Sequence, residues 1–455
     1  MHAIVAERNV EERTRHVLSE IFSGCSLDKV GVRLWDGTAW PDERPRAAML
    51  ALKHSGALGR MFLPGTEVGL AEAYLHDDFD IEGDIAVAFE IGDFLLAHLG
   101  DWKKKLKLAG LLVALPEQDG RSTMRRAASA ARQLLPRIRG KQHSLERDRR
   151  AVTFHYDVSN DFYRLWLDRR MVYSCAYFTS QDEDLDVAQE RKLDYLCRKL
   201  RLRPGQRLLD IGCGWGALVI HSAKHFGVRA EGLTLSEPQA KWARARIAET
   251  GLINEATIDL RDYRQISSDG SQRYDAIVSV GMAEHVGREK LPDYFSAAHR
   301  ALKPGGVFLN QAIGEGVVAR PDNRDGSFIE QYVFPSGDIP PLPIMLRTAE
   351  STGFEIRDAE NLREHYALTL RHWLRRLETH HAEALSFVDE GTYRIWRLYL
   401  AGSAHGFRGG HIAVYQTLLA KLDSSGQTKL PLTREDWYIQ SRAGEVRHDL
   451  IHSRR

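Results

Sequence analysis

Short apolar runs alternate with longer amphipathic segments from about Ala151 to the end of the chain. The short runs predict buried strands, and apolar residues at helical spacing predict helices between them. Alternation of this kind is typical of a doubly wound α/β domain. The predicted strands are Arg207–Ile211, Arg229–Leu233, Ala256–Leu260, Tyr274–Val280, Gly306–Gln311 and Ile412–Ala420, and the predicted helices include Glu237–Thr250, Glu289–Leu302, His365–Leu385 and Thr392–Ala404.

A different pattern precedes this domain. Val30–Leu34 and Thr38–Trp40 flank Asp36-Gly37, a dipeptide that supplies the positive φ of a two-residue hairpin turn. Ala47–Lys53 predicts a third strand, and apolar residues recur at helical spacing between Ile85 and Leu99. We therefore expect a smaller α+β domain over residues 1–102, which we call the N-terminal domain.

The charge of the chain is balanced overall and uneven locally. The 455 residues contain 63 Lys and Arg and 62 Asp and Glu, and 43% are apolar, which suits a chain with more than one folded domain. Lys103–Arg150 has 14 basic and 4 acidic residues, a net charge of +10, and its prolines and glycines predict short helices in a linker. Such a segment fits either docking to anionic lipid head groups or a solvated connector. We expect the linker at residues 103–150 and a C-terminal domain at residues 151–455.

The sequence also bears on the compartment. No apolar signal segment opens it, and the longest strongly apolar run, Leu108–Leu115, is far shorter than the ~20 residues of a membrane span. Four cysteines, Cys25, Cys175, Cys197 and Cys213, lack the spacing of a disulfide framework or a zinc site. We therefore expect a cytoplasmic protein without a bound metal.

The most informative segment is Leu208–Ala217, which reads LLDIGCGWGA. It predicts a buried strand, a glycine turn that lets a ligand approach the backbone, and the start of a helix. The glycines fit two cofactors. As G-x-G-x-x-A they match a loose dinucleotide fingerprint, with Glu231 as the ribose-binding acid. As D-x-G-x-G-x-G, starting at Asp210, they match the loop of class I methyltransferases, and the motifs that follow favour this cofactor, S-adenosylmethionine.

Further motifs follow in order along the chain. They are His155–Tyr163 (HYDVSNDFY), Tyr173–Phe178 (YSCAYF), Gly232–Ser236 (GLTLS), Arg261–Arg264 (RDYR), Gly281–Gly287 (GMAEHVG), Phe334–Gly337 (FPSG) and Ala404–Arg408 (AHGFR). In these motifs the chain resembles the cyclopropane-fatty-acyl-phospholipid synthase family from about His155 to Lys421. The N-terminal domain is similar, less specifically, to that of some longer members. The resemblance implies a class I methyltransferase (Rossmann-like) fold with a seven-stranded sheet and extra helices.

The resemblance also implies an activity. Family members transfer the methyl carbon of S-adenosylmethionine to the cis double bond of an unsaturated phospholipid acyl chain and form a cyclopropane ring. The carbocation that develops needs negative or π-rich neighbours and a base that removes a proton. In the family this base is a bound bicarbonate. The matching positions in this chain are Cys175, Glu284, Gln311, Ile313 through its backbone amide, and Tyr366.

Gln311 is a departure from the family pattern. Many members have histidine at the first position of an HTIG motif, where this chain reads QAIG. Glutamine can hydrogen-bond but cannot carry a proton near neutral pH. The alternatives are therefore a related transferase that leaves a methyl or methylene branch without ring closure, and an inactive lipid-binding homologue.

The resemblance assigns a larger set of residues to S-adenosylmethionine. Trp215 lies inside the glycine loop, where we expect it to be more exposed than a core tryptophan and to stack over the ligand. The set is Tyr173, Ser174, Asp210, Gly212, Gly214, Trp215, Gly216, Thr234, Gln239, Asp262 and Tyr263.

Partners follow from the same reasoning. An unsaturated phospholipid substrate implies peripheral association with the inner face of the membrane, with Lys103–Arg150 against anionic head groups and the N-terminal domain, residues 1–102, as a lipid-binding domain. Relatives that form dimers make a homodimer an expectation as well. The basic segment has no interleaved aromatic residues, so we expect no nucleic-acid partner. An O- or N-methyltransferase for a small metabolite is a further alternative.

Overall fold

The computed structural model describes residues 2–98, 102–116, 159–266, 274–319, 327–334 and 338–438. The first described segments form the N-terminal domain. Its elements are α1 (His2–Ile21), β1 (Val30–Arg33), β2 (Ala39–Trp40), β3 (Ala48–Leu52), α2 (Ala57–Phe62), α3 (Glu67–Leu75), β4 (Phe79–Gly83), α4 (Ile85–His98) and α5 (Trp102–Val113).

A four-stranded sheet in the order β2-β1-β3-β4 organises this domain. β1 pairs antiparallel with β2 across the predicted turn, where Gly37 has φ of 90°, and pairs parallel with β3. The predicted hairpin and third strand are therefore present. β4 was not expected because Asp80 and Glu82 interrupt its apolar pattern, and it pairs with only one neighbour, β3.

The predicted linker begins as part of the N-terminal domain. α5 buries Leu108 and Leu112, and Leu115 follows it into the same apolar core. Lys107 Nζ donates to Glu20 Oε2 of α1 at 2.8 Å. The helix α5 is thus packed on the N-terminal domain rather than part of a free connector, because Leu108 and Leu112 lie in the core of that domain. The rest of Lys103–Arg150 lies outside the described residues.

The C-terminal domain contains the predicted alternation of strands and helices. Two short 3₁₀ turns, Tyr263–Gln265 and Arg288–Lys290, interrupt it. Its elements are α6 (Asn160–Trp166), α7 (Leu185–Lys199), β5 (Arg207–Ile211), α8 (Ala217–Phe226), β6 (Arg229–Thr234), α9 (Glu237–Glu249), β7 (Ala256–Leu260), β8 (Tyr274–Val280), α10 (Ala283–Val286), α11 (Leu291–Ala301), β9 (Leu302–Glu315), α12 (Phe328–Tyr332), α13 (Leu342–Ser351), β10 (Phe354–Asn361), α14 (Arg363–Thr379), α15 (His381–Ala384), α16 (Glu390–Arg408), β11 (Ile412–Lys421) and α17 (Glu435–Tyr438).

These strands form a seven-stranded sheet in the order β10-β11-β9-β8-β5-β6-β7. β9, β8, β5, β6 and β7 run parallel, and β11 pairs antiparallel with both β9 and β10. The chain moves from β5 to one side of the sheet and later returns to the other side, so the switch point lies between β5 and β8. The predicted fold class is confirmed.

The differences from the predicted elements are local. β10 was not predicted because Glu355, Arg357, Asp358 and Glu360 break its apolar pattern, and this strand pairs only with β11. The helix predicted over His365–Leu385 ends at Thr379 and a short helix follows.

The two domains share one continuous cluster of buried apolar side chains. α16 carries the polar contacts across it. Arg394 donates to the Tyr74 carbonyl at 2.8 Å, to Asp77 at 2.9 Å and to Asp80 at 3.1 Å, and Arg397 donates to the Tyr74 hydroxyl at 3.0 Å. These bonds fix the N-terminal domain against α16. In the described part of the chain, no helix is long and apolar enough to cross a bilayer.

Candidate active site

One cavity lies at the carboxyl ends of β5, β6 and β8. This is the switch point of the sheet, where open α/β folds bind their ligands. It is lined by every residue predicted to bind the cofactor except Gly216. Those residues are Tyr173, Ser174, Asp210, Gly212, Gly214, Trp215, Thr234, Gln239, Asp262 and Tyr263.

The glycine turn leaves room for a ligand. A Cβ at Gly214 or at Gly281 would meet no atom within 4 Å, and both residues have positive φ, 54° and 71°. Gly216 differs, because a Cβ there would lie 2.9 Å from the Cβ of Ala243 in α9. Gly216 therefore serves the close packing of α9 against the turn, while its predicted contact with the cofactor stays a prediction.

A buried charged group lies beneath the loop and was missed from the sequence. Lys192 of α7 is 2% exposed and its Nζ donates to Ser174 Oγ at 2.9 Å. Burial lowers the Lys192 pKa to about 8 and raises the Asp210 pKa to about 7, while the two opposite charges partly counteract these shifts. The signal was present, since Lys192 falls on the apolar face of its helix, where an unpaired charge is rare.

Hydrogen bonds orient the polar side chains on the other side of the cavity. Thr234 Oγ1 donates to Gln239 Oε1 at 2.9 Å, which leaves the Gln239 amide nitrogen as a donor. Asp262 is 5% exposed and accepts bonds of 2.8 Å from the backbone nitrogen and from Nε of Arg264. These contacts hold both side chains in place before a ligand binds.

The dinucleotide alternative is not supported by this geometry. Glu231, its ribose-binding acid, accepts from Arg261 at 2.6 Å and from the Tyr274 hydroxyl at 2.7 Å. Both carboxylate oxygens are thus engaged, one in a bond within the sheet and one in a bond to Arg261 after β7, and Glu231 does not line the cavity.

An aromatic cluster forms one wall of the site. Trp215 lines the cavity but is only 3% exposed, because its ring lies 5.1 Å from Tyr163 and its Nε1 donates to Asn160 at 2.9 Å. The expectation of an exposed Trp215 is therefore wrong. Tyr173 continues the wall, 5.2 Å from the ring of Trp373. Buried rings of this kind exclude water and present π faces to a positive charge.

Glu284 and Ile313 are in direct contact. Glu284 Oε1 accepts from the backbone nitrogen of Ile313 at 2.7 Å, while Oε2 is buried without a hydrogen-bond partner among the described residues. Burial raises the Glu284 pKa to about 7 against the effect of the Ile313 bond. His285, which sequence reasoning did not single out, lines the cavity, and burial lowers its pKa to about 4. Near neutral pH Glu284 can therefore gain or lose a proton, as can Asp210 of the cofactor cavity, whereas His285 stays neutral.

Cys175 and Tyr366 both contact the carbonyl oxygen of Leu362. Cys175 Sγ contacts the Leu362 carbonyl at 3.7 Å, and the backbone nitrogen of Tyr366 donates to the same oxygen at 3.0 Å. The Leu362 nitrogen bonds to Val414, which pairs with Ile313 in the sheet. Burial raises the Cys175 pKa, so this residue remains a thiol.

Gln311 is fixed by a buried polar chain that the sequence did not reveal. Its Oε1 accepts from Gln416 Nε2 at 2.9 Å, and Gln416 Oε1 accepts from Lys199 Nζ at 3.0 Å. Lys199 also donates to Glu360 Oε2 at 2.5 Å. Lys199 thereby sets the orientation of both amides. Gln311 and Gln416 are neighbours only through the pairing of β9 with β11, so their separation along the chain concealed the contact.

Together, the fold and the cavity define a class I S-adenosylmethionine-dependent methyltransferase. Residues 143–417 match the family model of mycolic acid cyclopropane synthetase. A probable fatty acid methyltransferase of Pseudomonas putida is 39% identical over 90% of this chain and 95% of its own length. The tuberculostearic acid methyltransferase UfaA1 of Mycobacterium tuberculosis is 34% identical over 85% of this chain and 86% of its own length.

A solved structure agrees with these relatives. The mycolic acid cyclopropane synthase CmaA1, complexed with SAH and CTAB, is 35% identical and superimposes with a TM-score of 0.56 over 60% of this chain and 97% of its own. The chain belongs to the mycolic acid cyclopropane synthetase family. The cavity at the switch point is the candidate S-adenosylmethionine site, and the residues around Gly214 and Gly281 leave space for a ligand there.

Proposed function

We propose that this protein transfers the methyl carbon of S-adenosylmethionine to the cis double bond of an unsaturated phospholipid acyl chain, with a cyclopropane ring as the expected product. Relatives named as fatty acid methyltransferases and as a cyclopropane synthase support an acyl substrate. The observation that carries the proposal is the buried Glu284 carboxyl group, which has one free oxygen. Burial raises the Tyr399 pKa against the hydrogen bond to Tyr173, and the Glu284 charge adds a smaller increase, so Tyr399 interacts with both Glu284 and the aromatic wall.

The chain supplies what an alkene acceptor requires. S-adenosylmethionine provides an electrophilic methyl group when it is bound. As the double bond donates its electron pair to that carbon, positive charge develops on the other alkene carbon, and Tyr173 and Trp215 lie where π faces can stabilise it. Loss of a proton from the new methyl group, with closure of the remaining C–C bond, yields the ring. Glu284 is the carboxylate positioned to direct that proton.

The resemblance implies that bicarbonate is the base. Of the groups expected to hold it, Glu284 is available and the Ile313 amide is not. Glu284 Oε2 is buried without a hydrogen-bond partner among the described residues, so it can accept the hydrogen of a bicarbonate ion. The Ile313 amide, in contrast, already donates to Glu284 Oε1 and is not available to the ion. We propose that bicarbonate binds beside Glu284. Adding bicarbonate to a depleted preparation should then raise turnover, and a rate without any response would leave Glu284 itself as the base.

Membrane association is part of the proposal. The net charge of +10 over Lys103–Arg150 suits anionic head groups, and a protein that acts on phospholipid needs reversible contact with the inner face of the membrane. A homodimer stays a prediction, for which the mass of the protein in solution is the test.

A branched product is the second candidate. Gln311 replaces the histidine of many family members, and UfaA1, which matches most of this chain, is named as a tuberculostearic acid methyltransferase. Both observations favour methyl transfer that ends without a ring. Fragmentation of the product lipid distinguishes a ring from a methyl or methylene branch.

Turnover on vesicles tests the activity itself. We expect release of S-adenosylhomocysteine with cis-unsaturated phospholipid vesicles and none above background with fully saturated vesicles, because only the former contain a nucleophilic double bond. Turnover on soluble amines or alcohols without lipid would contradict the proposal and favour an O- or N-methyltransferase. Cofactor binding without turnover on any lipid would favour an inactive lipid-binding homologue.

A further inference from the structure

A second cavity lies between the two domains, and we call it the interdomain cavity. Its volume is about 230 Å³, and α3, β4 and α4 of the N-terminal domain face α12 and α16 across it. Leu70, Phe79 and Phe89 line one side, while Phe328 and Leu398 line the other. Glu67 is the single charged side chain among the described residues that line it.

The size and lining of this cavity suit an apolar ligand. An apolar cavity of about 150 Å³ already stays free of water and binds small apolar molecules. Protein interiors are close-packed and contain few voids of this size. The cavity is also rigidly framed, because Arg394 and Arg397 of α16 hold α3 through Tyr74 and Asp77. It is therefore a built feature of the domain interface.

Only a thin wall separates the interdomain cavity from the cofactor cavity. Tyr399 lines the interdomain cavity, and its hydroxyl interacts with Tyr173, which lines the cofactor cavity. The ring of Phe334 lies 5.7 Å from Tyr399 and 5.6 Å from His285, another residue of the cofactor cavity. A hydrocarbon chain that reacts beside Glu284 thus has an apolar space one layer of side chains away.

The charges near the interdomain cavity indicate which end of a lipid it would accept. Glu67 Oε1 accepts from the Phe328 nitrogen at 3.4 Å, and Glu72 accepts from the Tyr332 hydroxyl at 3.0 Å. Two carboxylates beside α12 repel the phosphate of a phospholipid. The hydrocarbon end of the chain has no such penalty and gains from burial.

We propose that the interdomain cavity binds the methyl-terminal segment of the acyl chain, beyond the reacting double bond. The proposal rests on the acyl substrate of the proposed function and assigns to the N-terminal domain a part of the substrate site. The N-terminal domain then determines how long that segment can be, and so selects among acyl chains by the distance from the double bond to the methyl end.

Gly92 of α4 offers a test that leaves the catalytic residues intact. It lines the interdomain cavity, and a Cβ there would meet no atom within 4 Å, so Gly92→Leu fills the cavity without a backbone clash. Gly110 of α5 is the matched control, since it is also helical, is exposed and has equal space around its Cβ. Both changes replace a helical glycine by a better helix former, so neither is expected to unfold the chain.

The full chain is assayed on vesicles whose acyl chains share the double-bond position from the carboxyl end and differ in methyl-terminal length. We expect Gly92→Leu to lower kcat/KM for the longest segment by about 10-fold or more relative to the shortest, since even one misfitting methylene costs about 10- to 200-fold. Gly110→Leu should keep the wild-type length profile. If the wild type is active and Gly92→Leu keeps the same dependence of kcat/KM on chain length, this proposal alone is overturned. If the wild type is inactive on every acyl chain, the proposed function is overturned.

A binding measurement keeps the inference testable without turnover. A saturated fatty acid with a photoreactive diazirine at its methyl end is cross-linked to the full chain, and the labelled peptides are identified by mass spectrometry. Label on α3 or α4, lost in Gly92→Leu and retained in Gly110→Leu, supports the proposal. Label confined to elements that do not line the interdomain cavity, or label unchanged by Gly92→Leu, contradicts it.

Discussion

Glu284 is the residue to which we assign the proton chemistry. It is buried beside β9, one of its oxygens is bound by the Ile313 amide, and burial raises its pKa to about 7. A carboxyl group in this state is divided between its acid and its carboxylate near neutral pH, which is the range in which a general base works best. The turn GMAEHVG places it there, immediately after β8.

The pH dependence of turnover follows from that pKa. Because the carboxylate is the active form and the pKa is raised, kcat/KM should rise as the pH increases through about 7 and level off above it. Glu284→Gln should lower kcat by about 10²- to 10⁴-fold, remove this rise and leave cofactor affinity nearly unchanged. Initial rates and cofactor titrations across pH measure both effects. Equal losses of turnover and of cofactor binding would show that Glu284 is structural.

Gln311 is the residue that bears on the product. A histidine at this position can accept a proton, whereas the amide held by Gln416 cannot. Gln311→His should therefore raise the fraction of ring product relative to branched product, as measured by fragmentation of the lipids. Gln416→Met is the control, since it also breaks the bond between the two amides but adds no proton acceptor. A product ratio that moves equally in both variants would contradict a proton-transfer role at residue 311.

At the residue scale, the sequence was sufficient wherever a motif carries the chemistry. Asp210, Thr234 and Asp262 lie at the ends of predicted strands, and strand ends meet at one edge of the sheet, so their convergence could be expected. The contacts of Gln416 and Lys199 could not, because they depend on the pairing of β9 with β11 and on the packing of α7. For Gly216 the sequence alone does not separate a ligand cradle from a close helix contact, because both require glycine.

At the element scale, α16 joins the two domains. Arg394 is buried on this helix and is bound to Asp77 and Asp80, which are about one third exposed or less. Arg394→Met leaves these carboxylates at the interface without their partner. We expect a loss of about 2–3 kcal/mol in the free energy of unfolding, below the usual cost of breaking a fully buried pair because both carboxylates are partly hydrated.

Arg408 provides the matched control for this prediction. It lies on the same helix and bonds to Glu90 of the N-terminal domain at 3.0 Å, but its side chain is 52% exposed. Arg408→Met should therefore change the free energy of unfolding by less than about 1 kcal/mol. Denaturant unfolding of the full chain measures both variants. Similar losses in the two would show that burial of Arg394 is not what holds the interface.

Element prediction succeeded where the apolar pattern is uninterrupted. β5 and β8 begin and end at the predicted residues, since each is a short apolar run in the middle of the sheet, and the edge strand β7 also has its predicted bounds. β4 and β10 were missed because strands paired on one side tolerate charged residues that erase the pattern. The first part of the predicted linker belongs instead to the N-terminal domain, because Leu108 and Leu112 pack into the core of that domain.

At the scale of the whole molecule, the uneven charge predicts how the protein meets lipid. Lys103–Arg150 carries +10 in a chain whose total is +1. Each basic residue near an anionic surface contributes about 1 kcal/mol, so Lys103→Glu with Lys104→Glu should weaken binding to anionic vesicles strongly. Lys224→Glu with Lys241→Glu is the control, as both residues are exposed on the C-terminal domain. Cosedimentation that ignores salt, anionic lipid content and both charge reversals would contradict docking by this segment.

The most direct test of carbon transfer to an acyl chain follows the transferred carbon itself. S-adenosylmethionine labelled in its methyl group is incubated with the full chain and vesicles of cis-unsaturated phospholipid, and the lipids are separated and fragmented. We expect the label within the acyl chain at the former double bond. We also expect Glu284→Gln to lower this incorporation by about 10²- to 10⁴-fold. Label on the head group, on a soluble acceptor or in no lipid at all would contradict carbon transfer to the acyl chain.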